Sequence, residues 1–149
     1  MKARIRGAAV IVHDRRIALA RHSDDYRNLV WWSPPGGEVD GEESILASAE
    51  REALEEISLR VVAERPIYAQ ELIDRRRKSR TLELFILCRL AYGVSPADLA
   101  PDNEIDEAGF FTAEEAAGEL ILPEVFQQVV WQDLAAGFPT FRYLGLVEL

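Results

Sequence analysis

The sequence predicts an α+β domain built on a mixed sheet, and three observations predict it. β-Prone runs separated by turn signals pair off as hairpins, not as regular strand–helix–strand units. One long amphipathic helix divides an early group of strands from a later one. Two shorter helical segments follow near the end, giving the order β-β-β-α-β-β-β-α-α. At 149 residues the chain suits one domain, read as residues 1–149, with no repeat, low-complexity tract or linker to divide it.

Each element has a local cause. Ile5 to Val12 is an apolar, β-branched run that reads as a buried strand. His13 to Arg16 is a polar turn, and Ile17 to Ala20 returns as a second strand ending at Arg21. His22 to Asn28 reads as a loop. Leu29 to Trp32 is a third strand, stopped by Pro34 and Pro35. The helix is expected to start between Asp40 and Glu43, with Asp40 as cap and acids in the first turn favoured by the helix dipole. Leu46, Ala49, Ala53 and Ile57 share one face that can pack on a sheet. Glu50 falls near that face without an evident role, and Ser58 is a weak stop.

Leu59 to Ala63 and Ile67 to Ile73 read as strand interrupted by Pro66. The basic run Arg75 to Arg80 then forms a hairpin tip leading into the strand Thr81 to Tyr92. Gly93 to Asp106 is loop-like, and Ile105 to Phe111 is a further strand. Thr112, with Glu115 three residues on, opens a short helix through Ala117 by a capping box. Pro123 suits the first turn of a last helix reaching about Ala136.

Bulk properties narrow the function. Net charge is −9, which repels nucleic-acid backbones and anionic membranes, so neither a polymer nor a membrane is expected as partner. Cys88 is the single cysteine, so no internal disulfide forms and a reducing cytoplasm is the expected location. The basic start has too short an apolar stretch for a secretory signal. His13 and His22 lack metal-ligand spacing. The acids Asp102, Glu104 and Asp106 fail as a calcium loop, because Glu107 replaces its glycine and Ala113 its final glutamate.

The chemistry lies between Pro35 and Leu59. Glu52, Glu55 and Glu56 stand at i, i+3 and i+4, which puts three carboxylates on one helical face. Such a face is either solvated or neutralised by a cation, and a hard divalent ion prefers these oxygen ligands together with substrate phosphates. Gly37, Glu43, Arg51-Glu52 and Glu55-Glu56, at their spacing, match the Nudix box of the Nudix hydrolase family. The lead-in Trp32-Ser33-Pro34-Pro35-Gly36-Gly37 also resembles that family's. Two positions depart from its pattern: Ser58 stands where glycine is usual, and the small Ala53 where a larger aliphatic residue is.

The resemblance implies an α/β/α sandwich with the mixed sheet between helices, and a metal-dependent pyrophosphohydrolase. Its implied metal set is Glu52 and Glu56, with Glu55 direct or through water, and the Gly37 carbonyl. The implied cofactor is Mg²⁺, with Mn²⁺ as the alternative. Arg51 and Glu43 resemble the pair that orients this set. The base that takes a proton from water is Glu52 or a later loop acid, for which Glu104 is the candidate, beside its reading as an ordinary loop acid. Arg21 resembles positions that hold phosphate, and is equally a solvated strand end. Trp32 offers a face for a nucleobase or a buried lead-in residue. The expected partner is a small nucleotide, most simply a modified nucleoside triphosphate. ADP-ribose, nucleotide sugars, dinucleoside polyphosphates, a non-catalytic nucleotide sensor and a homodimer stay open.

Overall fold

The computed structural model describes residues 1–102 and 104–149. Strands β1 (Lys2–His13), β2 (Arg16–Asp24), β3 (Leu29–Ser33) and β4 (Gly36–Glu38) precede helix α1 (Ile45–Ile57). Then come β5 (Val61–Asp74), β6 (Ser79–Leu90), β7 (Ala108–Phe111), α2 (Ala113–Ala116), α3 (Val129–Ala136) and β8 (Arg142–Glu148). The sheet order is β3-β2-β1-β6-β5-β8, with β4 also on β1 and β7 also on β2. β1 and β6 are parallel, as are β5 and β8, while the other pairs are antiparallel, so the sheet is mixed as expected.

Two cores lie on opposite faces of this sheet, and the twofold alternation of strand side chains feeds both. On β1, Ala9 and Ile11 pack with Ala49, Ala53 and Ile57 of α1. Ala8 and Val10 point the other way, toward Phe126 and Val130. The result is the helix–sheet–helix layering that the family resemblance implies.

Several boundaries differ from the sequence reading, each for a physical reason. Helix α1 starts later than Asp40–Glu43: Ser44 is the cap, its Oγ accepting the Ala47 amide at 3.0 Å. Glu43 is drawn away instead by Arg51 and by the Asp40 amide. Ser58 does end the helix, in the left-handed region at φ 62°. His22 is not in a loop, because β2 continues to Asp24 by pairing with β3. Pro66 does not break β5; register shifts on either side absorb it. Pro123 precedes a short 3₁₀ turn, Glu124–Phe126, and α3 begins only at Val129. β7 is shorter than the expected Ile105–Phe111, starting at Ala108. Strands β4 and β8 were not anticipated, since glycines disfavour one and the other follows the last helix without a hairpin partner.

Glu50, which lacked a role in the sequence, has one here: its Oε2 accepts the Ala63 amide at 2.9 Å, beside the β5 register shift. The Thr112–Glu115 capping box forms as predicted. Tyr68 of β5 donates to Asp133 of α3 at 2.7 Å, and Arg142 of β8 grips the same carboxylate with two bonds of 2.8 Å. No described helix is long and apolar enough to cross a membrane.

Candidate active site

Packing α1 on β1 and β4 aims its acidic face at the two glycines of β4. Gly37 pairs with Gly7, and Gly36 with Ala8. A Cβ on Gly37 would collide with Glu52 Oε1, so the glycine permits that carboxylate to rest on the β4 backbone. A Cβ on Gly36 would stand 2.7 Å from Ala8 Cβ, so this glycine serves strand packing instead. The Gly36 amide also donates to Glu56 Oε2 at 3.3 Å. Two box carboxylates are thus brought against consecutive residues of one short strand.

Arg51 organises the rest. It donates to Glu43 through Nη2 at 2.7 Å and through Nε to both Glu43 oxygens. Nη1 reaches Glu52 Oε1 at 2.9 Å and Glu55 Oε2 at 3.1 Å, and Nη2 also reaches the Glu38 carbonyl at 3.1 Å. Such a forked, multiply bonded guanidinium fixes orientation in a way a lysine could not. The hydrogen bond from Arg51 holds the Glu43 carboxyl down at about 2. Glu43 in turn raises the Arg51 pKa further above its ordinary value.

Glu56 is the opposite case. Burial, and then the neighbouring Glu52 charge, push its carboxyl up to about 8. A carboxylate kept in that place is unstable without a nearby cation. Among the described residues no three acidic, histidine or cysteine side chains converge as a ready ion cage. Arg51 lies between Glu52 and Glu55, so these must turn from the guanidinium to face an ion. The all-oxygen donor set, the close approach at Gly37 and the crowding of the Glu56 carboxyl against Glu52 nevertheless fit a hard divalent ion.

Beside this constellation opens a cavity of about 620 Å³, running along β1, β5 and β6 from Gly36 toward Ser79. Its floor is polar: Glu83 accepts from Arg6 at 3.0 Å and from the buried Gln70 at 3.1 Å. One wall is the stacked pair His22 and Trp31, with ring centroids 5.5 Å apart. Burial, followed by the nearby Arg6 charge, lowers the His22 pKa, which favours the neutral imidazole.

The predicted residues distribute unevenly. Glu43, Arg51, Glu52 and Glu55 share one hydrogen-bonded network, with Gly37 against Glu52 and Glu56 on the Gly36 amide. Arg21 turns to the loop before β7, pairing with Asp106 at 3.0 Å, and does not line the cavity. Trp32 is 7% exposed and packs edge-on to Phe111 in the core, so no ring face is open to a base. Glu104 is exposed, and among the described residues nothing bonds it to the α1 carboxylates. The sequence reading passes over Arg4, Arg6, Gln70, Thr81 and Glu83, and it ranks Trp31 below Trp32 although Trp31 is the one that lines the cavity. Part of their signal was present: on β1 and β6 the polar residues Arg4, Arg6, Thr81 and Glu83 fall at twofold spacing, one polar stripe on each strand.

The comparisons agree with this geometry. A NUDIX domain family profile matches residues 3–131. A NUDIX hydrolase from Nitrosomonas europaea superposes with TM-score 0.79 at 18% identity, over 100% of this chain and 81% of its own. A MutT protein from Methanosarcina mazei Go1 gives 0.67 at 22%, over 93% and 97%. An ADP-ribose pyrophosphatase from Streptococcus suis 89-1591 gives 0.63 at 23%, over 96% and 97%. No curated protein matches the chain significantly. With a family match over most of its length, and the box residues gathered on one strand, one helix and the loop between them, the chain belongs to the Nudix family of phosphoanhydride hydrolases.

Proposed function

We propose that this protein is a divalent-metal-dependent pyrophosphohydrolase acting on a nucleoside diphosphate linked to a further group. The carrying observation is the seating of Glu52 on Gly37 and of Glu56 on the Gly36 amide, beside a cavity with an aromatic wall and a polar floor. Glu52, Glu55, Glu56 and the Gly37 carbonyl would hold the ion, Mg²⁺ or Mn²⁺. When bound, the ion offsets phosphate charge and lowers the pKa of water.

The chain's own groups do the rest. Water attacks one phosphorus of the anhydride, the bridging P–O bond breaks, and a carboxylate takes the water's proton. Glu52 is our candidate acceptor, since Arg51 fixes it on the β4 backbone. Glu104 is the alternative, and needs its loop to approach. Arg51 and Glu43 are positioning residues. The stacked His22–Trp31 wall suits a heterocycle better than Trp32, which is in the core. A modified nucleoside triphosphate remains our first substrate class. A reducing compartment such as the cytoplasm suits the buried Cys88, whose thiol is pushed up to about 12 by burial.

The test is a phosphate-release screen across nucleotide classes with Mg²⁺, in which added phosphatase and pyrophosphatase free phosphate from the products, comparing the native protein with Glu56→Gln. Release should fall on the order of 100-fold in the variant, the scale of losing a metal-site group. Equal release from both proteins would reject the role given to Glu56.

A further inference from the structure

The basic run at the β5–β6 tip has no part in the chemistry above, yet it stands at the outer end of the cavity. The β2–β3 tip faces it there, and both are closed in the same manner. Asp24 Oδ1 accepts the Tyr26 and Arg27 amides at 3.0 and 3.2 Å, and Asp74 Oδ1 accepts the Arg77 amide at 3.1 Å. Each aspartate therefore presents an arginine three residues later to the cavity lining. The two ion pairs are loose, at 3.7 Å for Arg27 and 3.9 Å for Arg77. Arg76 joins the tips by lying over the Tyr26 ring, 4.7 Å from its centroid.

Strand register gives the span. Gly36 lies level with Phe85 through Ala8, and Ser79 is six residues back along β6, about 20 Å of strand. Arginine side chains reaching inward shorten that distance. Between the two ends, Arg6 and Arg4 are paired with Glu83 and Glu38. At the mouth, Arg27, Arg76 and Arg77 outnumber Asp24 and Asp74, whose oxygens are partly spent on backbone amides. Glu124 also lines the cavity and disfavours an anion near the 3₁₀ turn, which steers one toward the tips.

We propose that Arg27, Arg76 and Arg77, gathered by the two aspartate-closed tips, form a second anion subsite for a phosphate carried on the far moiety of the substrate. This rests on the reading of the Gly36 end as the diphosphate site. The substrate class it favours is a nucleotide bearing a phosphate on its sugar in addition to the anhydride that is cleaved. Guanidinium forks suit a terminal phosphate dianion.

The probes are AMP and adenosine 2′,5′-bisphosphate, which differ only in the distal phosphate, titrated calorimetrically with Mg²⁺ present. The bisphosphate should bind at least tenfold more tightly to the native protein, and the advantage should shrink as salt rises. In Arg76→Ala/Arg77→Ala the two affinities should converge, while turnover of ADP-ribose or other hydrolysed diphosphates keeps its kcat. Equal affinities in the native protein, an advantage that survives the double substitution, or no binding of the bisphosphate would each overturn the subsite. Absence of any anhydride cleavage by the native protein, read as formation of the nucleoside monophosphate, would instead reject the hydrolase reading, and the titration still decides the subsite on its own.

Discussion

At the scale of single residues, the two β4 glycines look alike in the sequence but answer to different constraints. Gly36 abuts the backbone of Ala8, and Gly37 abuts the mobile end of Glu52. Gly36→Ala should therefore lower stability by about 2 kcal/mol, the usual cost of overpacking a strand contact. Gly37→Ala should fold with a change under about 1 kcal/mol, yet lose roughly 10- to 100-fold in turnover because Glu52 is displaced. Thermal melts beside phosphate-release rates separate the two. A Gly37→Ala enzyme with native turnover would disprove the importance of that contact. The grouping of Arg51 with Glu52 and Glu55 could be read from the sequence, because it follows from spacing along one helix. Trp31 and Trp32 could not be ranked in the same way. Adjacent strand residues face opposite sides, and only the pairing of β3 with β2 decides which of them meets the cavity.

At the scale of elements, α1 ends on a residue in a costly conformation. Ser58 takes a left-handed φ of 62°, where a side chain is disfavoured and glycine is not. Ser58→Gly should stabilise the protein by about 0.5–1 kcal/mol and raise Tm by roughly 2–4 °C, without changing kcat. A melt showing no gain would mean that the serine side chain compensates for its backbone. Helix α1 and the β5–β6 hairpin were legible because their signals are local. The start of α1 was misplaced because Glu43, a reasonable first-turn acid, is taken by Arg51, eight residues later. β4 and β8 were missed for a related reason. Both exist through partners distant in the chain, β4 on β1 and β8 on β5. Propensity within a short window does not register such pairing.

At the scale of the whole molecule, one carboxylate ties three elements together. Asp133 is 5% exposed and joins α3 to Tyr68 on β5 and Arg142 on β8. Its hydrogen bonds from Arg142, and then from Tyr68, hold its carboxyl below the ordinary value. A depressed folded-state value means the contribution is complete above the unfolded pKa of about 3.9 and fades as pH falls through it. Asp133→Asn should cost about 2–3 kcal/mol at neutral pH, since it leaves Arg142 and the Tyr68 hydroxyl poorly matched. The variant's denaturant midpoint should also vary less than the native one between pH 5 and 3. Parallel pH profiles for the two proteins would show that other acids dominate the acid transition.

The Glu50–Ala63 bond carries one more consequence. The helix that bears the box glutamates also supplies, among the described residues, the side-chain acceptor for that amide, at the point where β5 shifts register. Deuterium uptake at the Ala63 nitrogen thus reports how often α1 lifts from the sheet, a local opening invisible to a global melt. Motion of the acidic helix can in this way be followed from a strand that carries none of the box residues.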